Sequence, residues 1–164
     1  GLSIFASQFA RAAGARVFAT TSSDEKAERL KALGADIVVN YKTDPAWGET
    51  IFRLSGGVHH VVDVGGPATL TQSIAAAKVG GDIAIVGVLG GRSAEVLLPT
   101  VFFKQLRLQG VSVGSRAHQR NMVAGIEANG IKPLIDSRFG LDALAPAFQH
   151  QLANQHFGKI VIEY

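Results

Sequence analysis

Residues 1–42 read GLSIFASQFARAAGARVFATTSSDEKAERLKALGADIVVNYK, and this stretch decides the predicted fold. Its amphipathic segments predict helices over Leu2–Ala13 and Asp24–Leu33, because apolar residues recur there at helical spacing. Its short apolar runs predict strands over Arg16–Thr20 and Ile37–Val39. A regular alternation of strands and helices is typical of a parallel sheet covered by helices.

The same alternation continues through the rest of the chain. Further apolar runs predict strands over His60–Val64, Ile83–Val88, Leu106–Val113 and Lys159–Ile162. Further amphipathic stretches predict helices over Pro45–Leu54, Ala68–Lys78, Gln119–Asn129 and Leu141–Leu152. Several runs are apolar on both faces, as strands covered on both sides are. We therefore predict a single α/β domain over 1–164, a doubly wound (Rossmann-type) parallel sheet with helices on both faces.

Local signals mark where several helices begin and end. Ser23 or Asp24 can cap a helix by accepting from free backbone N–H groups. Gly34 can end that helix in the left-handed conformation, and Pro67 suits a first helical turn, where its missing N–H has no cost. Trp47 is predicted to be a packing anchor.

The beginning of the chain departs from the usual pattern of this fold. Gly1 leads directly into helix-like sequence, whereas a doubly wound domain begins with a strand and a Gly-rich turn. We therefore predict that the first strand lies outside this chain, which would make the chain a fragment. That strand is central in the usual order 3-2-1-4-5-6, so the sheet is expected to have a gap or to be rearranged.

Composition narrows the classes of function. The chain has 47% hydrophobic and 18% charged residues, which is apolar enough for a full core and argues against disorder. It has no cysteines, so thiolate metal sites are excluded and a cytoplasmic location is expected. The net charge of +3 is spread along the chain, which argues against a nucleic-acid partner, and no apolar run has the length of a membrane span.

Small neutral residues follow the first predicted strand. An NAD-binding domain usually has Asp or Glu about 20 residues after its first turn, where the acid binds the ribose 2′-OH. Thr21 stands at that position here and is followed by Ser22 and Ser23. A carboxylate would repel a 2′-phosphate, whereas these residues would accept one, with Lys26 as the positive charge and Tyr41 as a further neighbour. The alternative is a plain capped helix with a solvated lysine.

Glycines stand at the carboxyl ends of successive predicted strands. They are Gly65, Gly66, Gly87 and Gly114. Ligands of open α/β sheets bind outside those ends, and glycine lets the backbone approach a ligand closely. The alternative is that they are ordinary turn glycines.

No catalytic or metal-ligating set is predicted. His59 and His60 are adjacent in a strand, so they face opposite sides and cannot share a metal ion. Asp63 is either a buried hydrogen-bonded acid or a cofactor neighbour, and we favour the structural role. Spacing alone supports neither a Ser-His-Asp arrangement nor paired carboxylates.

Several blocks together resemble one family. The stretch 1–36, VVNYK at 38–42, VVDVGG at 61–66, GGDIAIVGVLGG at 80–91, LRLQGVSVGSR at 106–116 and HFGKIVI at 156–162 resemble the medium-chain dehydrogenase/reductase superfamily. The similarity is greatest to zinc-type alcohol dehydrogenase-like proteins and quinone oxidoreductases, and it covers essentially the whole chain.

The resemblance implies a cofactor site and its residues. Gly1 and Ser3 match the end of the family's pyrophosphate turn, and Thr21 stands where NAD-preferring members have an acid. The positions that NADP-preferring members use for the 2′-phosphate and the adenosine are matched by Ser22, Lys26 and Tyr41. The blocks beside the ribose and the nicotinamide are matched by Gly65, Val88, Leu89, Gly114, Ser115 and Arg116. The implied cofactor is NADP(H), with NAD(H) as the alternative.

The resemblance also implies what this chain lacks and what it binds. The family's substrate-binding and zinc-binding residues lie mainly in a preceding domain, so a small-molecule substrate would bind there and zinc cannot be judged. A homodimer is implied through the sheet edge, formed by Ala94–Leu98 with Leu106–Val113. The implied reaction is hydride transfer between the cofactor and a carbonyl, alcohol, enone or quinone.

Three alternatives stay open. The chain could be a structural or dimerisation module with a vestigial site, or it could belong to an NAD(H)-using enzyme. It could also be a methyltransferase, which shares the alternation of strands and helices. That class usually needs an acid after the second strand, and Thr21 argues against it.

Overall fold

A computed structural model describes residues 1–164, which form two compact units. The central unit is Arg16–Ser115, and the terminal unit combines Gly1–Ala15 with Arg116–Tyr164. The helices are α1 (Leu2–Ala12), α2 (Asp24–Ala32), α3 (Trp47–Ser55), α4 (Leu70–Ala76), α5 (Leu98–Phe103), α6 (Arg116–Ala128) and α7 (Leu144–Leu152). The strands are β1 (Phe18–Thr21), β2 (Ile37–Asn40), β3 (Val58–Asp63), β4 (Ala77–Ile85), β5 (Arg107–Gly110), β6 (Ile135–Gly140) and β7 (Lys159–Glu163).

All strand pairs are parallel, and they form three small sheets. In the central unit, β1 pairs with β2, and β3, β4 and β5 form a separate sheet in that order. In the terminal unit, β6 pairs with β7. The doubly wound α/β prediction is confirmed, and the expected interruption is present between the β1–β2 and β3–β4–β5 sheets. No helix combines the length and the apolar character that crossing a membrane requires.

Two apolar clusters form the core of the central unit. Trp47 and Ile51 of α3 pack with Val39 and Ala76, which confirms Trp47 as a packing anchor. The second cluster lies under α4 and consists of Leu70, Ile74, Ala77 and Ile83. Burying these side chains removes apolar surface from water, and each fully buried Val, Leu or Ile side chain contributes roughly 1.5–3 kcal/mol.

Most helix signals act as predicted. The Ser23 hydroxyl accepts from the Lys26 N–H at 3.2 Å, so Ser23 is the N-cap of α2. Gly34 follows α2 with φ at +91°, the left-handed conformation that glycine adopts without strain. Pro67 lies in the first turn of a short 3₁₀ helix, Gly66–Ala68, where no N–H is needed.

Several predicted boundaries are wrong, among them the end of the strand predicted over Leu106–Val113, which stops at Gly110. The helix predicted to run to Lys78 ends at Ala76, because Ala77 pairs with Val58 of β3 despite its high helix propensity. The strand predicted from Ile83 to Val88 begins earlier and ends at Ile85. The edge predicted over Ala94–Leu98 is not a strand: residues 92–97 are irregular and α5 begins at Leu98.

Two elements were absent from the prediction. Helix α5 has Pro99 in its first turn, and the missing N–H suits a helix start but not strand pairing. Strand β6 mixes polar and apolar residues, and it is defined by its pairing with β7. Helix α7 lies between these two strands along the chain.

Candidate functional site

The carboxyl ends of β1 and β2 bring part of the predicted site together. Thr21, the last residue of β1, lies beside Asn40, the last residue of β2, in the parallel register. The Tyr41 N–H donates to the Thr21 carbonyl at 2.9 Å. Thr21 is only 6% exposed, so a charge at this position would be costly unless a partner compensated it.

The first turn of α2 lies directly after Thr21. Ser22 and Ser23 connect the strand to the helix, and the Ser23 cap fixes the backbone of Lys26 in the first turn. Thr21, Ser22, Lys26 and Tyr41 are thus held at one edge of the β1–β2 sheet. The first turn of a helix favours anions, because its N–H groups point outward.

Asn40 is a residue of this edge that the sequence analysis missed. Its side-chain amide donates to an Asp24 carboxylate oxygen at 2.9 Å. This hydrogen bond fixes the position of the Asp24 side chain at the start of α2. The Asn40 side-chain oxygen accepts from the Lys42 N–H at 3.1 Å, and its carbonyl accepts from the Asp44 N–H at 2.9 Å. Asn40 follows the strand predicted over Ile37–Val39, and an asparagine at such a place is a turn signal that could have identified it.

A second part of the predicted site lies where β3 and β4 end. The Gly90 N–H donates to the Gly65 carbonyl at 2.8 Å, and the Leu89 N–H donates to the Val64 carbonyl at 3.3 Å. The structure therefore brings Gly65, Val88 and Leu89 together in two loops that are joined by backbone hydrogen bonds. Leu89 is 85% exposed, so this loop presents its apolar side chains outward.

Close approach explains the glycines in these loops. Gly66 has φ at +65°, and a Cβ there would lie 3.0 Å from the Gly87 carbonyl oxygen. A Cβ on Gly87 would lie 2.5 Å from the Val64 carbonyl oxygen. A side chain at Gly87 would therefore overlap the Val64 carbonyl, and one at Gly66 would be strained and would require its neighbours to shift.

The remaining predicted residues are distributed over both units. Gly114 and Ser115 follow β5 in the central unit, and both are exposed. Gly1 precedes α1, Ser3 lies in its first turn and Arg116 begins α6, so these three belong to the terminal unit. The first turn of α1 contains no acidic residue.

The cluster of charged side chains in the β3–β4–β5 sheet lies apart from these loops. His60, Asp82 and Arg107 are neighbours across the three strands, and Arg107 donates to both oxygens of Asp82 at 2.5 and 2.9 Å. Hydrogen bonds from Arg107 lower the pKa of Asp82 below its ordinary value. Because Arg107 is the first residue of β5, this cluster lies towards the opposite end of that strand from Gly114.

Comparison with known proteins gives the family. The sequence pattern of a family described as zinc-binding dehydrogenase matches residues 1–128. The chain belongs to the zinc-binding dehydrogenase family. This result confirms the resemblance to zinc-type alcohol dehydrogenase-like proteins and quinone oxidoreductases.

One curated relative and two solved structures illustrate the similarity. A zinc-type alcohol dehydrogenase-like protein of Schizosaccharomyces pombe is 41% identical over 99% of this chain and 49% of its own length. An NAD-dependent alcohol dehydrogenase is 36% identical with a TM-score of 0.90, over 100% of this chain and 48% of that one. A variant of a crotonyl-CoA carboxylase/reductase, solved with NADP, is 26% identical with a TM-score of 0.89, over 98% of this chain and 46% of that one.

The zinc in the family name has no counterpart among the residues of this chain. The chain spans about half the length of the curated relatives it matches. No group of three or more His, Cys, Asp or Glu side chains is placed to hold a metal ion. The donor set that zinc requires is therefore not present among the residues of this chain.

Proposed function

We propose that residues 1–164 are the dinucleotide-binding domain of a larger two-domain oxidoreductase that prefers NADP(H). The bound cofactor would supply the hydride that is exchanged with a carbonyl, alcohol, enone or quinone. The residues of this chain bind and orient that cofactor, and the substrate binds through the other domain. The neutral edge at Thr21 is the observation that carries the proposal.

The preference for a 2′-phosphate follows from the charges at the β1–β2 edge. Thr21 is neutral and buried, so no carboxylate at the strand end repels a phosphate. The first turn of α2 contains two acids, Asp24 and Glu25, beside Lys26, and Asp24 accepts a hydrogen bond from Asn40. The related structures include one protein described as NAD-dependent and one solved with NADP. Membership of the family therefore does not fix the preference, and we propose that these residues do.

The other cofactor contacts follow from the loops at strand ends. Gly65, Val88 and Leu89 would contact the ribose and the nicotinamide, and Gly114 and Ser115 would lie near the nicotinamide end, because ligands of such sheets bind at the carboxyl edge. Arg116 would also lie near the nicotinamide end, and Gly1 and Ser3 would serve the phosphates. The acid-free N-terminus of α1 supports this assignment, since exposed N–H groups and the helix dipole favour anions.

A fluorescence titration of the chain with NADPH and with NADH tests the proposal. We expect NADPH to bind at least tenfold more tightly, which corresponds to about 1.4 kcal/mol. Thr21→Asp should reverse or abolish that preference through repulsion, whereas Thr20→Asp, on the exposed neighbouring position, should keep it. Equal affinities in the unmodified chain would favour the NAD(H) alternative, and binding of neither would reject the function for this chain.

A second pair of variants tests the same pocket if Thr21→Asp does not fold. Lys26→Met removes the positive charge from the first turn of α2 and should weaken NADPH binding without changing NADH binding. Lys31→Met, at an exposed position later in the same helix, is the matched control. If both lysine variants bind NADPH equally well, the assignment of the 2′-phosphate pocket is wrong.

We further propose a homodimer that forms through the edge of the β3–β4–β5 sheet. Strand β5 is the last of its sheet, and an unpaired edge favours pairing with a second chain. Apolar side chains lie exposed beside it, including Phe103 at 75% and Val113 at 89%. This patch is also the observation that favours the alternative function as a dimerisation module.

The dimer is tested by sedimentation of the chain and of two variants in which a valine is replaced by lysine. Val111→Lys, directly after β5, should reduce the mass from two chains to one, because it places a charge in the interface. Val79→Lys, at an exposed apolar position in β4, should leave the dimer intact. A mass of one chain before any substitution counts against the dimer.

A further inference from the structure

Asp63 is a buried carboxylate at the end of β3. It is 2% exposed, and it accepts hydrogen bonds from the Gly66 N–H at 2.7 Å, the Thr69 hydroxyl at 2.8 Å and the Ser73 hydroxyl at 2.6 Å. This confirms the expectation of a buried, hydrogen-bonded acid. Because a buried carboxylate is costly unless hydrogen bonds compensate it, these three donors determine where the group can lie.

The two carboxylate oxygens serve two different segments. Oδ1 accepts from Gly66 and Thr69, which belong to the turn between β3 and α4. Oδ2 accepts from Ser73, which lies inside α4 and is almost fully buried. One oxygen therefore shapes the turn, and the other attaches the strand to the helix.

The turn that Oδ1 shapes is interlocked with the loop after β4. Gly65 accepts from the Gly90 N–H at 2.8 Å, and the Asp63 carbonyl itself accepts from the Val86 N–H at 2.9 Å. A Cβ on Gly65 would lie 2.5 Å from the Thr69 hydroxyl oxygen, so Thr69 packs closely against Gly65. A displacement of the turn must therefore displace the loop that contains Val88 and Leu89.

We infer that Asp63 is a positioning residue for the cofactor site, acting through Thr69 and Gly66. Its Oδ1 holds the Gly65–Gly66 turn, and through that turn the Val88–Leu89 loop, in the conformation that receives the ribose and nicotinamide. The inference rests on the proposed function for the identity of the ligand. It assigns no direct contact between Asp63 and the cofactor.

Two substitutions separate positioning from stabilisation, because each removes one hydroxyl donor from the same carboxylate. Thr69→Val removes the donor on the turn side and keeps the shape of the side chain. Ser73→Ala removes the donor on the helix side. We expect Thr69→Val to weaken NADPH binding about tenfold, whereas Ser73→Ala should change NADPH binding less than twofold. Ser73→Ala should nevertheless lower the melting temperature at least as much as Thr69→Val does.

Rescue and amide exchange complete the test. Thr69→Ser restores the hydroxyl and should restore NADPH affinity. In the isotope-labelled chain, the amide protons of Leu89 and Gly90 should exchange faster in Thr69→Val than in the unmodified chain. Their exchange rates should be unchanged in Ser73→Ala. If the two variants weaken NADPH binding in proportion to their loss of stability, Asp63 is only structural and the inference is wrong.

Failure of the inference and failure of the proposed function give different results. If the unmodified chain binds neither NADPH nor NADH, the proposed function is rejected for this chain. The exchange rates of Leu89 and Gly90 then still decide whether Asp63 positions the loop. Unchanged exchange in Thr69→Val would overturn the positioning role whether or not the cofactor binds.

Discussion

Lys104 provides the sharpest test of how the central unit is held together. Its ammonium group donates to the carbonyls of Ile74, Ala75 and Ala77 at 2.9, 2.8 and 2.9 Å, at the end of α4. It also lies 4.8 Å from the centre of the Phe52 ring. A lysine at this place satisfies carbonyls that have no partner within the helix and interacts favourably with the helix dipole.

Lys104→Met removes the charge and keeps most of the apolar stem. Ile74 and Ala77 are buried, so their carbonyls lose a partner that water cannot readily replace. An unsatisfied buried acceptor costs roughly 1–3 kcal/mol, so two of them cost about 2–6 kcal/mol. The ammonium no longer has to leave water on folding, which offsets part of this cost, and we expect a net loss of about 2–4 kcal/mol.

Urea unfolding followed by tryptophan fluorescence measures this loss. Trp47 is the only tryptophan and is buried in the core of the central unit, so its emission reports on that unit. Lys31→Met is the control, because Lys31 makes one exposed ion pair with Glu28 and should cost less than about 0.5 kcal/mol. If Lys104→Met shifts the unfolding free energy no more than the control does, the three carbonyls do not depend on Lys104.

Two further predictions concern packing and pH. A Cβ at Gly48 would overlap the Gln72 backbone where α3 meets α4, so Gly48→Ala should cost about 2–3 kcal/mol in urea unfolding. Gly125→Ala, which has open space in α6, should gain up to about 1 kcal/mol, and equal effects would contradict the close contact. Burial alone would raise the pKa of Asp136, but the hydrogen bonds it accepts, first among them that from the Phe157 N–H, outweigh burial and lower it below 3.8. Because the pKa is lower in the folded state, this stabilisation is present above pH 3.8 and is lost as the pH falls through the folded pKa. The test follows unfolding of the terminal unit by the amide signal of Phe157 between pH 6 and 2, in roughly half-unit steps. The free energy of unfolding should depend less on pH in Asp136→Asn than in the unmodified chain. An unchanged pH profile would refute the assignment.

Elements with signals inside one or two helical turns were predictable. The N-cap at Ser23 and the left-handed glycine at Gly34 act on their own neighbours, so the sequence contains the whole interaction. The candidate residues at the β1–β2 edge were also predictable, since parallel strands end at a common edge. The pattern of Thr21, Ser22 and Lys26 therefore followed from local sequence and fold class together.

Interactions between distant segments were not predictable. Asn40 holds Asp24 across 16 positions, and Lys104 reaches the end of α4 from directly after α5, a helix that the prediction lacked. The end of α4 illustrates the reason: Ala77 has high helix propensity, yet pairing with Val58 and the bond to Lys104 place it in a strand. Propensity is a weak preference that tertiary contacts override.

The sequence by itself determined the parallel α/β class, most of the helices and the neutral residues at the end of β1. These depend on periodicity, capping and residue type, which act over a few positions. Only the tertiary structure decided the shared role of Asp63, whose donors come from a turn and a helix that follow it. A buried carboxylate takes its function from the donors that surround it, and those donors come together only when the chain has folded.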